Sequence, residues 1–600
     1  MPRNRRPGRT ALPDAATSSR SQIARFATRA GAVPPAVLMR MAAWRSPEFQ
    51  TAALAGGAYA ALILVMWGLF GLYSGFFAET GFPFLSETSS VLKGFLYPLD
   101  PLRIQMMTFF QLPYLIGEAL GIRGSYVPYQ VIYAALWWAR GFLSFLILRK
   151  FLPGSLSICY AAGALVVVHA SDSAFGWVGP MNQLGSIFWM VLAFYLLLLA
   201  AEAVKWPHTA LFVAGACLFE YMSLWSYESQ LLLVLVLPVG LVFRWRCWRK
   251  LAVLGGAWYL IPAVYIRLTF LRYVGSTARG YQESVMRKAW SVGSLLRDWV
   301  FNIKASLEFW DWPRGDWKPP KVEIYLLSLA ASIVFVACGL AFLRLTREYG
   351  RPSPFVGRIR TWWTLLGAGF ILLALSFPAF LLLEAADSLW RTQFLAGIGA
   401  GLVLAALCGL VSQAVPWRVG KIAVFLVFGG TVVFFGSESV VQKTAVHRWI
   451  WERHRTAISE VLKIAPSVQA NTLVVFTNVP KGDDPFADDM WLDLALRLAY
   501  PGIPVGGVYY YADGTPGPND RLRVRGRAWE WDGTGFPPLL RGAGLASTLV
   551  VRYEPGGTGK LVETLPPYLC DGECAAWLYR PLFLISAPVS PIAARRYRLD

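Results

Sequence analysis

The residues best suited to chemistry fall in four short polar segments between apolar runs. The densest, "HASDSAFGWVGPMNQ", carries His169, Ser171, Asp172, Ser173, Trp177, Asn182 and Gln183. The second, "SLWSYES", ends near Glu228. The third, "EAADSLWRTQF", holds Asp387, Arg391 and Gln393. The fourth follows the first apolar run as "FFAETGF", with Glu79, and continues to Glu87 and Asp100. A carboxylate can take a proton from a hydroxyl, and a histidine exchanges protons near neutral pH. An arginine fork matches phosphate oxygens in a bidentate way. A plain structural role stays open beside the chemical one. Ser171 or Asp172 can cap a helix, Pro180 and Asn182 can begin one, and acids can pair with Arg391.

These segments must be positioned by a very apolar chain. Of 600 residues, 56% are hydrophobic, 15% aromatic and only 15% charged, against about 25% charged in an ordinary soluble domain. The mean hydropathy is +0.46. Apolar runs of about 18–25 residues recur, long enough to span the bilayer as helices. The reading is a polytopic α-helical membrane protein with about eleven spans. They fall near 51–73, 127–148, 154–170, 183–203, 208–225, 227–243, 251–273, 323–344, 362–383, 391–412 and 419–436. The stretch "PLRIQMMTFFQLPYLIGEAL" suits an interfacial helix better than a span.

The net charge of +20 fits loop topology and anionic lipid rather than nucleic acid, because no basic motif with interleaved aromatics is present. Alternate loops such as "FRWRCWRK" and "LRLTREYGRPSPFVGRIR" are basic and belong inside with the Arg-rich N-terminus. The opposite loops hold Glu79, Glu87, Asp100, Asp172, Glu228, Glu384 and Asp387. The expected organisation is a disordered basic cytoplasmic arm at 1–48 and a membrane domain at 49–436 with long outer loops at 74–125 and 274–322. An extracytoplasmic soluble α/β domain follows at 437–600. In that last part "NTLVVFTNVP", "IPVGGVYYY" and "STLVVRYE" read as strands and "AAWLYR" as a fourth. "RWIWERHRTAISEVLKIAPSV" and "DDPFADDMWLDLALRLAYPG" read as helices. The protein is expected in the plasma membrane as a multi-pass chain.

Five of the seven cysteines are scattered singly and suit small buried apolar positions. Cys570 and Cys574 in "CDGEC" are a disulfide candidate if that region lies outside the cytoplasm. A zinc site would need two further ligands, and no nearby histidine supplies them. The aspartates of "DDPFADDM" suit the start of a helix better than a metal site. No metal ligand and no cofactor is assigned, with room left for a divalent ion.

An acid just after the first span, a long first outer loop with an interfacial helix, and a soluble tail outside resemble the GT-C superfamily of membrane glycosyltransferases. The likeness covers about residues 50–440 and leans toward the branch that uses polyprenyl- or dolichyl-phosphate mannose. That branch carries a motif of the type His-Pro-x-x-x-Glu-x-x-x-Trp-x-x-x-x-x-Asp; here His169, Trp177 and Asn182 stand in similar order. Its Lys-Glu pair is met by Tyr227–Glu228, and its Arg-Tyr-x-Tyr-x-Pro motif keeps only Arg391. Its paired acid after the first span is Glu79–Thr80 here.

The resemblance implies an inverting enzyme that moves a sugar from a polyprenyl-phosphate donor, within membrane lipid, to an acceptor not identified by the sequence. Glu79 would be the base, with Glu87 and Asp100 as alternatives. His169 or Arg391 would stabilise the lipid phosphate, and Asp172, Asn182, Glu228, Asp387 and Gln393 complete the substrate-binding set. A non-catalytic membrane scaffold or assembly protein, and a lipid or sugar transporter, are the other readings.

Overall fold

The structure is a computed structural model. It describes residues 46–75 and 108–599 apart from 154, 246, 276–285, 290, 309–320, 349–358, 385, 387–388, 390, 487–488, 518–521, 532–542 and 555. The chain divides at Leu54 into a short unit and a large one, Ala55–Asp600.

The helices in chain order are α1 Pro47–Gly71, α2 Thr108–Ala119, α3 Val127–Phe151, α4 Leu156–Val168, α5 Met181–Glu202 and α6 Trp206–Leu224. Then come α7 Leu231–Val236, α8 Val239–Arg244, α9 Trp248–Gly275, α10 Val292–Leu307, α11 Lys321–Glu348 and α12 Ile359–Leu375. The last four are α13 Ala396–Ser412, α14 Arg418–Ile464, α15 Asp489–Ala499 and α16 Pro591–Tyr597.

Among the described residues, seven helices are long and apolar enough to cross a membrane: α1, α3, α5, α9, α11, α12 and α14. This is a polytopic helical membrane protein. Leu326, Ile333 and Leu340 are exposed at every second turn of α11, a stripe that only lipid makes inexpensive.

The expected count of eleven is not reproduced: the spans read at 154–170, 208–225, 227–243 and 391–412 are not among the seven. α4 has 13 residues, all buried, so it is about 20 Å long and lies inside the bundle. α13 has 17 residues rich in Gly and Ala. It crosses α12 backbone to backbone: a Cβ added at Gly399 would lie 2.4 Å from the Leu373 nitrogen. Small residues allow this approach between membrane helices.

The run at 227–243 is not one helix. It is a 3₁₀ turn, Glu228–Gln230, followed by α7 and α8. Pro238 stands between these two, where it has no N–H to continue the ladder.

The helix expected at 419–436 does not end there. α14 runs unbroken for 47 residues, about 70 Å, more than twice the hydrocarbon thickness. The boundary drawn at 436/437 therefore falls inside a helix, whose second half carries the chain out to the C-terminal region. Trp451 marks the crossing. It is fully buried, with Tyr126 at the start of α3 5.1 Å away edge-on and Tyr597 of α16 at 6.2 Å.

The C-terminal region contains sheets. The strands are β1 Ser467–Val468, β2 Thr472–Val479, β3 Val505–Tyr511, β4 Leu522–Gly526, β5 Ala528–Trp531, β6 Thr548–Tyr553, β7 Gly559–Leu561, β8 Cys570–Cys574 and β9 Ile585–Ser586. The main sheet has the order β3-β2-β6-β7. β2 is parallel to both β3 and β6, and β7 is antiparallel to β6. The segment 575–580, read as a strand, contains instead a 3₁₀ turn, Ala576–Leu578. Cys570 and Cys574 are joined as a disulfide within β8.

Candidate functional site

The loop between α4 and α5 meets the segment before α13 at one end of the bundle. α4 ends as His169 turns to an extended backbone. Asp172, three residues on, is 1% exposed. Its carboxylate accepts the backbone N–H groups of Ala174 at 2.9 Å, Arg391 at 3.0 Å and Gln393 at 2.8 Å. Ser173 adds its own N–H and hydroxyl, both donated to the Leu389 carbonyl at 3.0 Å. Arg391 has a left-handed backbone, φ 67°, a conformation that costs a non-glycine residue about 1 kcal/mol. The charge-assisted bond from its N–H to Asp172 offsets that cost.

A chain of side chains extends from this stitch. Ser306 donates to the Gln393 carbonyl oxygen, and the Gln393 amide donates to Asn302 at 2.6 Å. The Asn302 amide in turn donates to the carbonyls of Asp298 and Ala386, both at 2.8 Å. The His169 Nε2 lies 2.9 Å from the Ser306 carbonyl. A carbonyl only accepts, so that nitrogen carries the proton.

Arg140, fully buried on α3, donates to the carbonyls of Val166 at 2.8 Å, His169 at 3.2 Å and Phe394 at 3.3 Å. Gly397 admits these groups: a Cβ there would come 2.9 Å from the Arg140 guanidinium and 3.0 Å from the His169 ring. The Arg391 guanidinium stacks 5.3 Å from the Trp177 ring, and Lys443 of α14 donates to the Ala170 carbonyl.

Burial dominates the titration of this loop. It pushes the Asp172 carboxyl up to about 6, against the pull of its three N–H partners. Burial, helped by the Arg140 charge, pushes the His169 imidazole down to about 3. The unfolded chain therefore binds a proton at His169 near its ordinary 6.5 while the folded chain refuses it. Stability tied to His169 is present above that pH and is lost as pH falls below it. In thermal unfolding the margin of the wild type over His169→Gln should shrink steadily from pH 7 to pH 4. A margin independent of pH would show that His169 is not held neutral by the fold.

The structure thus brings His169, Asp172, Arg391 and Gln393 together. Asn182 is half-buried in the first turn of α5. Glu228 heads the 3₁₀ turn whose Gln230 donates to Ser186 of α5. Glu79, Glu87, Asp100 and Asp387 lie outside the described residues.

The sequence reading passed over Arg140, although a charge in the middle of an apolar run is itself a signal. It also passed over Asn302 and Ser306, whose polar positions on α10 gave no sign of their distant partners.

A cavity of about 390 Å³ opens beside this network, lined by Arg287, Ser291, Ser294, Arg297, Asp298 and Glu384. Its size lies in the range of small-ligand sites. α10 positions it. Trp299 donates to the Ala374 carbonyl near the end of α12 at 2.9 Å, so α10 lies across the helix ends. Arg287 is committed, paired with Asp298 and donating to the Ser294 hydroxyl at 2.9 Å. Its guanidinium holds the Asp298 carboxyl below the usual carboxylate range. Arg297 is 79% exposed and reaches Asp298 through Nε alone, at 3.3 Å. Its terminal nitrogens make no hydrogen bond among the described residues. This open fork can meet an anion at the edge of the helical bundle.

Neither a family model nor a curated protein matches the chain. Among solved structures it is similar to the crystal structure of ArnT from Cupriavidus metallidurans bound to undecaprenyl phosphate. The two are 13% identical over 71% of this chain and 83% of that one, with a TM-score of 0.34.

Proposed function

We propose that the protein is a GT-C-type membrane glycosyltransferase that moves a sugar from a polyprenyl-phosphate carrier to an acceptor outside the cytoplasm. The observation that carries the reading is the Arg297 fork, open on a 390 Å³ cavity beside the helix ends. A lipid-linked phosphate must stay at the membrane boundary while its sugar reaches water, and a guanidinium placed there suits it. In the reaction the acceptor oxygen attacks the anomeric carbon and its proton passes to a carboxylate. The bond to the phosphate oxygen breaks, and polyprenyl phosphate leaves with the electron pair. Glu79 is the proposed base, with Glu87 and Asp100 behind it, and the arginines oppose the charge growing on the phosphate. Arg391 and Asn182 remain proposed substrate contacts, as do Glu228 and Asp387. His169, Asp172 and Gln393 act by holding the Arg391 loop. The N-terminus is proposed inside and the C-terminal region outside.

The test is transfer of radiolabel from polyprenyl-phosphate sugars in membranes carrying the protein. Arg297→Ala should raise the donor KM by about 10- to 100-fold, the worth of one charge-assisted hydrogen bond, with a smaller change in kcat. Arg297→Lys should restore part of it. An unchanged donor KM in Arg297→Ala would remove the cavity from the donor site. No transfer from any such donor by the unmodified protein would leave the scaffold reading in its place.

A further inference from the structure

The cavity beside α10 holds two groups of opposite charge that no group of the protein answers. One is the Arg297 fork, whose terminal nitrogens are open. The other is Glu384, which lines the same cavity. Its exposed carboxylate makes no hydrogen bond and no ion pair among the described residues. The backbone fixes Glu384 in that wall. Arg287 donates its N–H to the Leu382 carbonyl at 2.9 Å, Met286 and Leu383 form an antiparallel bridge, and Asn302 of α10 holds the Ala386 carbonyl at 2.8 Å. The Ser291 hydroxyl accepts the Ser294 N–H at 3.1 Å, which leaves its own proton to donate. The remaining charges of the wall, Arg287 and Asp298, pair with each other.

These groups restrict the occupant. A phosphate diester anion offers only acceptors, so it suits Arg297 and Ser291 and is repelled by Glu384. A carboxylate is also acceptor-only and needs donors. A bare phosphate would leave Glu384 facing like charge, and a neutral ligand would leave the Arg297 fork unused. The ligand that answers both has an anion at one end and several O–H donors at the other. A sugar joined to a phosphate has that form. The volume limits its length: about 390 Å³ lies at the small end of ligand cavities, roughly 300–1,000 Å³. One sugar ring suits it, and a chain of sugars does not.

α10 also gives the ligand a direction. Val292, Leu296 and Val300 are exposed at four-residue spacing, an apolar stripe of the kind that lies at the acyl boundary. Arg297 falls three residues from Val300 on one side and three from Ser294 of the cavity wall on the other. It therefore stands at the border between stripe and cavity. A phosphate carried on a lipid reaches Arg297 from the stripe, and its sugar extends into the cavity.

We propose that Glu384 is the sugar-binding residue of the donor site, its carboxylate accepting the hydroxyls of a single sugar ring whose phosphate is held by Arg297. This rests on the transferase reading and adds a substrate class to it: a lipid-linked monosaccharide, not a lipid-linked oligosaccharide.

The experiment measures direct binding to the full chain in phosphatidylcholine nanodiscs. The probes are polyprenyl phosphate, polyprenyl-phosphate mannose, polyprenyl-phosphate glucose and phosphatidylethanolamine. At least one sugar-bearing carrier should bind more tightly than the sugar-free one. Glu384→Ala should weaken that carrier about 10- to 100-fold, the loss of one hydrogen bond to a charged group. The same variant should hold the sugar-free carrier as tightly as the wild type or more tightly, because a like charge has gone. Arg297→Ala should weaken both. The thermal unfolding of Glu384→Ala should match the wild type, since the carboxylate has no partner in the fold. Equal weakening of both carriers by Glu384→Ala, or of neither, would overturn the assignment. So would Glu384→Gln if it lowered kcat with donor affinity intact, for the carboxylate would then be the base. Phosphatidylethanolamine that displaces the sugar-bearing carrier and loses this power in Glu384→Ala would show that Glu384 meets an ammonium instead. Binding of no carrier at all would sink the transferase reading and this assignment together. Carrier binding that depends on Arg297 but is indifferent to Glu384 would overturn this assignment alone.

Discussion

Asp172→Ala should unfold the end of the bundle and abolish activity together. One carboxylate there serves three backbone N–H groups, those of Ala174 and Gln393 buried and that of Arg391 part-buried, the two arginine-loop donors lying 219 and 221 residues away along the chain. Alanine leaves all three without an acceptor in a place water reaches poorly, at about 1–3 kcal/mol for each donor left unsatisfied. The left-handed Arg391 also loses the bond that offsets its backbone cost. After relaxation a net loss of roughly 3–5 kcal/mol is expected. Asp172→Asn keeps an acceptor oxygen but turns an NH₂ toward one of the donors, so its loss should be about half as large. Thermal unfolding in detergent and trypsin cleavage near Arg391 measure both. An alanine variant with the unfolding temperature and protease resistance of the wild type would show that the 169–180 loop is held by something else.

The same carboxylate shows what a sequence discloses and what it withholds. The polar segment around Asp172 stands out because a bundle this apolar has few places for such groups. Its partners are backbone atoms, and backbone atoms have no signature in sequence. The choice between a substrate contact and a stitch across loops was therefore out of reach until the chain was folded. The helices were legible to different degrees. Runs such as 127–148 and 183–203 mark their own helices because length and hydropathy suffice. The run at 227–243 is as apolar, and only Pro238 hinted that it breaks. α14 misled in the other direction. Glu438 and Lys443 look like the end of a span, but a helix satisfies its own backbone in lipid and in water alike, so nothing obliges it to stop at the boundary. The parallel strands β2, β3 and β6 were legible as apolar runs. Their order depends on long-range pairing that no local pattern encodes.

Glu79→Gln should lower turnover by roughly 10²–10⁴ while leaving donor affinity intact, the usual size of a lost general base. The described part of the first helix ends at Gly71, and the backbone continues without helix to Gly75. Gly75 touches Trp451: a Cβ there would come 2.3 Å from the indole. Trp451 also packs against Tyr126 at the head of α3. The chain thus reaches Gly75 at the bundle end where α14 leaves for the C-terminal region, and Glu79 follows four residues later. A fully extended chain covers at most about 14 Å in that distance, and the proposed reaction needs a base within that reach of the helix ends. Glutamine keeps the shape and the hydrogen-bonding oxygen but cannot accept the acceptor's proton. Single-turnover transfer and donor binding, measured on the same preparation, separate the two effects. If Glu79→Gln transfers at the wild-type rate, the base is Glu87 or Asp100, and each of those substitutions then becomes decisive. If it loses donor binding as well as turnover, the carboxylate is part of the donor site and not the base.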